Sequence, residues 1–142
     1  MSIYKKILVC TDFSEDSLKY LGKSFLLAES FQAETHLCHV VLPAASIPIH
    51  GYYYPMDIDL EKKIMEKAEE KMTEVAAQHK LDASKQHVFF GNPKPGIVAF
   101  AKEIDIDLVI VAGHHHSFIG MLGSTANYIA NKIHCDVLIV NN

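Results

Sequence analysis

Five short, strongly apolar runs, separated by four stretches of helical period, constrain this chain more than any other feature. The runs are Ile7 to Cys10, Thr35 to Val41, His87 to Phe90, Leu108 to Ala112 and Asp136 to Val140. Between them, apolar residues recur at three- and four-residue steps: Leu18, Leu21, Phe25 and Ala28; then Leu60, Ile64, Ala68, Met72, Val75 and His79. The third stripe is Ile97, Phe100, Ala101 and Ile104, and the last is Ala126, Ile129, Ala130 and Ile133. Strands that are aliphatic at successive positions are buried on both faces. Alternation with helices therefore predicts a parallel sheet, reached by right-handed crossovers and covered by helices on both sides. The expected architecture is α/β, a five-stranded Rossmann-like sheet, with residues 1–142 forming one domain.

Local signals place the joints. Ser14 precedes Glu15 and Asp16, which suits a helix N-terminus with acidic residues at the positive end of the dipole. Gly91-Asn92-Pro93 ends the third strand, and Pro95 suits the first turn of the helix after it. Pro43, Pro48 and Pro55 exclude a regular element between the second strand and the helix expected over Asp57 to His79. That stretch reads as a mobile surface loop.

Composition narrows the function classes. With 49% hydrophobic residues in 142, the chain can bury a sizeable core. Its 13 Lys+Arg against 17 Asp+Glu leave a net charge of −4, with no basic excess for a phosphate backbone, so no nucleic-acid partner is expected. No apolar run approaches the ~20 residues of a membrane span. The amino-terminal residues lack a signal h-region, so the expectation is a cytoplasmic protein with no membrane partner. Cys10, Cys38 and Cys135 form no C-x-x-C pair and read as reduced core thiols.

In a doubly wound sheet, ligands lie beyond the carboxyl ends of the strands where strand order reverses. That directs attention to Thr11 to Ser14, Val40 to Leu42, Gly91 to Pro95 and Gly113 to Thr125. Asp12 would project into such a crevice as a ligand-binding carboxylate, or else serve as a turn acceptor. Gly113, Gly120 and Gly123 permit close backbone approach, and Ser124 and Thr125 open a helix whose free amides can hold phosphate. The bland reading is turn glycines and a helix cap. The spacing matches neither G-x-G-x-x-G nor a Walker A loop. Of the consecutive His114, His115 and His116, only His114 and His116 can share a side of an extended chain. With Asp12 as a third ligand they are the metal candidates, but the reading favours no metal. His36 and His39 read as hydrogen-bonded sheet residues. No catalytic residue is assigned, because no nucleophile elbow or Ser/His/Asp arrangement is present.

Tyr4-Lys5-Lys6-Ile7-Leu8-Val9, followed by Thr11-Asp12-Phe13-Ser14-Glu15, resembles the universal stress protein family. Leu37-Cys38-His39-Val40 and Asp107 to Gly113 extend the likeness, which runs from Ile3 to Val140. The resemblance implies strand order 3-2-1-4-5, a fold of the adenine nucleotide alpha hydrolase-like kind, a cytoplasmic homodimer and a role in surviving stress. It also implies two possible branches. The ATP-binding branch carries G-x2-G-x9-G-[ST] after the fourth strand, and the universal stress protein A branch lacks it. Counted from Gly113, the second glycine position is His116, and only six residues separate it from Gly123-Ser124. The loop is three residues short. Removing three residues displaces a backbone cradle by several ångströms at ~3.3 Å per residue. The expectation is therefore an A-like, non-enzymatic dimer acting through protein partners, with nucleotide binding weak or absent and no obligatory cofactor. The alternative is an ATP-binding switch with slow hydrolysis and Mg-ATP as ligand. In that case the family positions place adenine and ribose near Asp12 and Val40, and phosphates near Gly113, Gly123, Ser124 and Thr125. The same resemblance puts the last strand at a sheet edge, pairing Val137, Leu138, Ile139 and Val140 with a twofold mate.

Overall fold

The computed structural model describes residues 2–43, 58–113 and 123–141. β1 (Lys6–Cys10), β2 (Glu34–Val41), β3 (Gln86–Phe90), β4 (Leu108–Ala112) and β5 (Asp136–Val140) form one sheet in the order β3-β2-β1-β4-β5. Every neighbouring pair is parallel, with Ile7 beside Thr35 on one side and Leu108 on the other. The strands alternate with α1 (Glu15–Ser30), α2 (Ile58–Gln78), α3 (Pro93–Glu103) and α4 (Ser124–Lys132). The loop expected between Pro43 and Pro55 lies outside the described residues apart from Pro43, as do His114 to Leu122.

Both faces of the sheet are covered because its central strands are aliphatic at consecutive positions. Ile7, Val9, Leu37, Leu108 and Ile110 face one way and pack on Tyr20, Leu21 and Ala28 of α1 and on Met72 and Val75 of α2. Leu8, Val40, Val109 and Val111 face the other way, against Ile97 and Ala101 of α3 and Ala126 and Ile129 of α4. Full burial of each such aliphatic side chain contributes roughly 1.5–3 kcal/mol. Asp107 fixes where β1 enters: its carboxylate accepts the Lys5 and Lys6 amides at 2.8 and 3.1 Å.

Two helices differ from their sequence patterns. The inward face of α1 is Ser17, Tyr20, Leu21, Ser24 and Ala28, while Leu18 is exposed. Two serines share the buried stripe because each hydroxyl has a local partner; Ser24 donates to the Tyr20 carbonyl at 2.8 Å. α3 starts at Pro93, two residues earlier than Pro95 suggests, because the Asn92 side chain caps the Lys94 amide at 3.1 Å. In the other two helices, Leu60 and Ala130 are exposed members of otherwise inward stripes.

α1, α2 and α3 end in the same way. Gln32, Lys80 and Asp105 sit at φ of 54°, 54° and 57°. The next amides, of Ala33, Leu81 and Ile106, donate back to Ala28, Ala76 and Ala101. These are Schellman turns built without glycine at the left-handed position.

Candidate functional site

A crevice opens at the carboxyl ends of β1, β2 and β4, where connections leave β1 and β4 in opposite directions across the sheet. Cys10, Cys38, Val40, Ile97, Val111 and Ala126 are the buried apolar residues that line it. Thr11, Asp12, Ser17, His39 and Thr125 supply polar groups around them. Its free volume is about 130 Å3. That suits a ring-sized group, against the ~300–1,000 Å3 of ordinary small-molecule sites.

The β1–α1 turn is held by its own polar atoms. Thr11 extends the β1–β2 ladder by donating its amide to the Cys38 carbonyl at 3.1 Å. Its hydroxyl accepts the Phe13 amide at 3.0 Å and lies 2.5 Å from the Ser17 hydroxyl. Asp12 Oδ1 accepts the Ser14 amide at 2.9 Å, and Ser14 Oγ accepts the Ser17 amide at 3.2 Å. Asp12 is thus a turn acceptor, and it also forms part of the crevice wall.

These bonds hold Phe13 at φ 60°, a left-handed conformation that costs a bulky residue roughly 1–2 kcal/mol. The Phe13 ring meets His39 with centroids 4.4 Å apart. His39 Nδ1 lies 2.9 Å from the Thr11 carbonyl. A carbonyl only accepts, so Nδ1 carries a proton in this contact. His36 also has a partner in the sheet, His87 Nε2 at 2.8 Å from its Nδ1.

The sequence candidates separate. Asp12, Val40 and Thr125 line the crevice together with Ala112. Gly113 donates its amide to the Val140 carbonyl at 2.9 Å. A Cβ on Gly113 would overlap the Asn141 side-chain oxygen and come within 3.3 Å of Ile139 Cγ2, so the side a Cβ would take faces the end of β5. Gly123 is the N-cap of α4 and supplies no capping side chain. Ser124 turns to a shallow outer groove with Lys94, Asn127 and Lys132. His114 and His116 lie outside the described residues. Among the described residues no cluster of three His, Cys, Asp or Glu side chains is arranged to hold a metal.

Several contributors have no motif in the sequence. Tyr20 is buried, and its hydroxyl lies 2.6 Å from the Cys10 carbonyl and 2.8 Å from that of Ile110. It thereby ties α1 to β1 and β4, the two strands flanking the reversal. Cys10 and Cys38 are register partners with sulfurs 3.7 Å apart. A signal for Tyr20 exists only as a large polar residue on an otherwise apolar helical face.

β5 forms one edge of the sheet and pairs with β4 alone among the described residues. Its side chains are already engaged: Val137 and Ile139 pack toward α3 and α4, and Leu138 and Val140 toward α1. Its backbone edge is what remains for pairing.

Comparison with known proteins follows the same outline. The universal stress protein family profile matches residues 3–141. Universal stress protein A homolog 2 of Coxiella burnetii is 34% identical over 142 residues, covering 99% of this chain and 97% of that one. The structure of universal stress protein UspA from Lactobacillus plantarum superposes with TM-score 0.68 at 25% identity, covering 96% of this chain and 97% of that one. A universal stress protein solved in complex with cAMP has TM-score 0.66 at 22% identity, with 99% and 98% covered.

Proposed function

The chain belongs to the universal stress protein family, and from that premise we propose that it works as an A-like, non-enzymatic homodimer acting through protein partners in the cytoplasm. Nucleotide binding is weak or absent in this reading. The observation that carries it is the orientation of Gly113. In a phosphate cradle, a glycine at the end of β4 serves by letting the ligand approach its backbone. Here the space that a Cβ would take on Gly113 is filled by Asn141 and Ile139 of the same fold. The small crevice and the shortened loop to Gly123 support the same conclusion.

The assembly part of the proposal rests on β5, an edge strand of five residues with no charge between Val137 and Val140. Pairing that edge with its twofold mate satisfies unpaired amides and carbonyls and closes the assembly. A basic surface for nucleic acid is not supported by a net charge of −4. No described helix is long and apolar enough to cross a membrane.

One observation favours the alternative, an ATP-binding switch with slow hydrolysis. α4 begins at the crevice with Thr125 on its wall and, among the described residues, without a side-chain cap for the amides at the positive end of the helix dipole. The bound cAMP of a structural neighbour is in keeping with that reading. Thermal unfolding with and without millimolar Mg-ATP or cAMP separates the two. A ligand at 100 times its Kd adds ~2.7 kcal/mol to the native state, so a clear rise in Tm supports the switch and none supports the A-like protein.

A further inference from the structure

Cys10 and Cys38 occupy partner positions on adjacent parallel strands, and both side chains point to the α3–α4 side of the sheet. Their sulfurs are 3.7 Å apart, with the Cys38 thiol donating toward Cys10. Both line the crevice, where Cys10 retains 9% exposure and Cys38 only 1%. Neighbouring strands lie ~4.8 Å apart, which puts the two Cα atoms inside the ~4.4–6.8 Å window of a disulfide. Sulfur–sulfur bonding then needs side-chain rotation toward the partner, and the sheet register stays as it is. Cys135, the third free thiol, packs at the α3–α4 face and is not part of this crevice.

We propose that Cys10 and Cys38 form a reversible dithiol–disulfide site at the base of the crevice, oxidised by hydrogen peroxide or a comparably small peroxide. Cys10, the more exposed of the two, reacts first. Its sulfur gives up its proton and attacks one peroxide oxygen; the O–O bond breaks, hydroxide leaves and takes up that proton as water, and Cys10 becomes a sulfenic acid. Cys38 sulfur then attacks the Cys10 sulfur, the S–O bond breaks, and the leaving hydroxide departs as a second water with the Cys38 proton. Two thiols lose two electrons in all, and one peroxide is reduced to two waters. The contact with Cys38 and burial in the crevice wall hold the Cys10 thiol well above the ordinary cysteine pKa. Oxidation is therefore slow at neutral pH and accelerates as pH rises. Crevice access favours a small oxidant over a bulky disulfide such as oxidised glutathione.

The test treats the native full chain with hydrogen peroxide and reads intact mass and peptide linkage. The expected product is a single chain lighter by two hydrogen atoms, with a Cys10–Cys38 linked peptide pair, and dithiothreitol restores the starting mass. Cys135→Ala keeps this product, whereas Cys10→Ala and Cys38→Ala each abolish it. Linkage through Cys135, or oxidation that stops at separate sulfenic or sulfinic acids while Cys38 stays free, would overturn the proposal. Because the linkage is mapped in the unsubstituted chain, the outcome does not depend on whether a buried alanine variant folds.

Discussion

His36 Nδ1 and His87 Nε2 lie 2.8 Å apart across β2 and β3, with their rings stacked at 5.1 Å. One nitrogen of such a pair donates and the other accepts, so the contact favours neutral rings. Burial lowers the pKa of His36, with Lys6 and Lys85 adding to the effect and Glu34 opposing it. Burial and the proximity of His36 lower that of His87, and burial lowers that of His79, stacked on Phe25.

The unfolded chain therefore takes up protons at these histidines at a higher pH than the folded one. Their contribution to stability is present above the unfolded value of ~6.5 and is lost as pH falls below it, until the lowered folded values are reached. Urea unfolding at about pH 7.5 and 5.5 should show a lower midpoint on the acid side. The difference should shrink in a His36→Phe, His87→Phe double variant. An unchanged midpoint in the native chain contradicts the assignment.

Tyr20→Phe removes the hydroxyl that meets the Cys10 and Ile110 carbonyls. Leaving buried acceptors without their donor costs about 1–3 kcal/mol, read as a lower urea midpoint with an unchanged slope. A loss well under ~0.5 kcal/mol would mean that these carbonyls find other partners.

The Schellman turns predict a gain. Lys80 is exposed at φ 54°, where a side chain is strained and glycine is not. Lys80→Gly should raise stability by roughly 0.5–1 kcal/mol, whereas the same change at Lys71, inside α2, should lower it by about 1 kcal/mol. Equal losses at both sites would contradict the reading of the helix end.

How far the fold is legible from the sequence depends on what sets each feature. Ile7 to Cys10 and Leu108 to Ala112 announce buried parallel strands because consecutive aliphatic residues have no other stable place in water. Leu18 misleads because apolar periodicity is blind to Ser17 and Ser24, which go inward once Thr11 and the Tyr20 carbonyl give them partners. Pro93 and Pro95 both suit a first turn, and the Asn92 cap decides between them. The crevice is legible only in part. Asp12 and Thr125 follow from their places beside β1 and α4, whereas the Cys10–Cys38 contact depends on strand register, which spacing along the chain does not reveal.

The β5 edge predicts a homodimer whose contact is chiefly backbone. Substituting Val137 or Ile139 with Lys would damage the core on which they pack, so the decisive readouts are mass and amide protection. Sedimentation at micromolar concentration should give twice 15.9 kDa. Outward-facing β5 amides should exchange slowly in the dimer and faster on dilution. A monomeric mass across that range contradicts the assembly.

The crevice of this family member is expected not to hold nucleotide tightly. Isothermal titration of the full chain with Mg-ATP tests it most directly. The expected Kd is weaker than ~100 μM, equivalent to a binding free energy no better than about −5.5 kcal/mol. A low-micromolar Kd that is abolished by changing Gly123 to Val and Ser124 to Ala would contradict it.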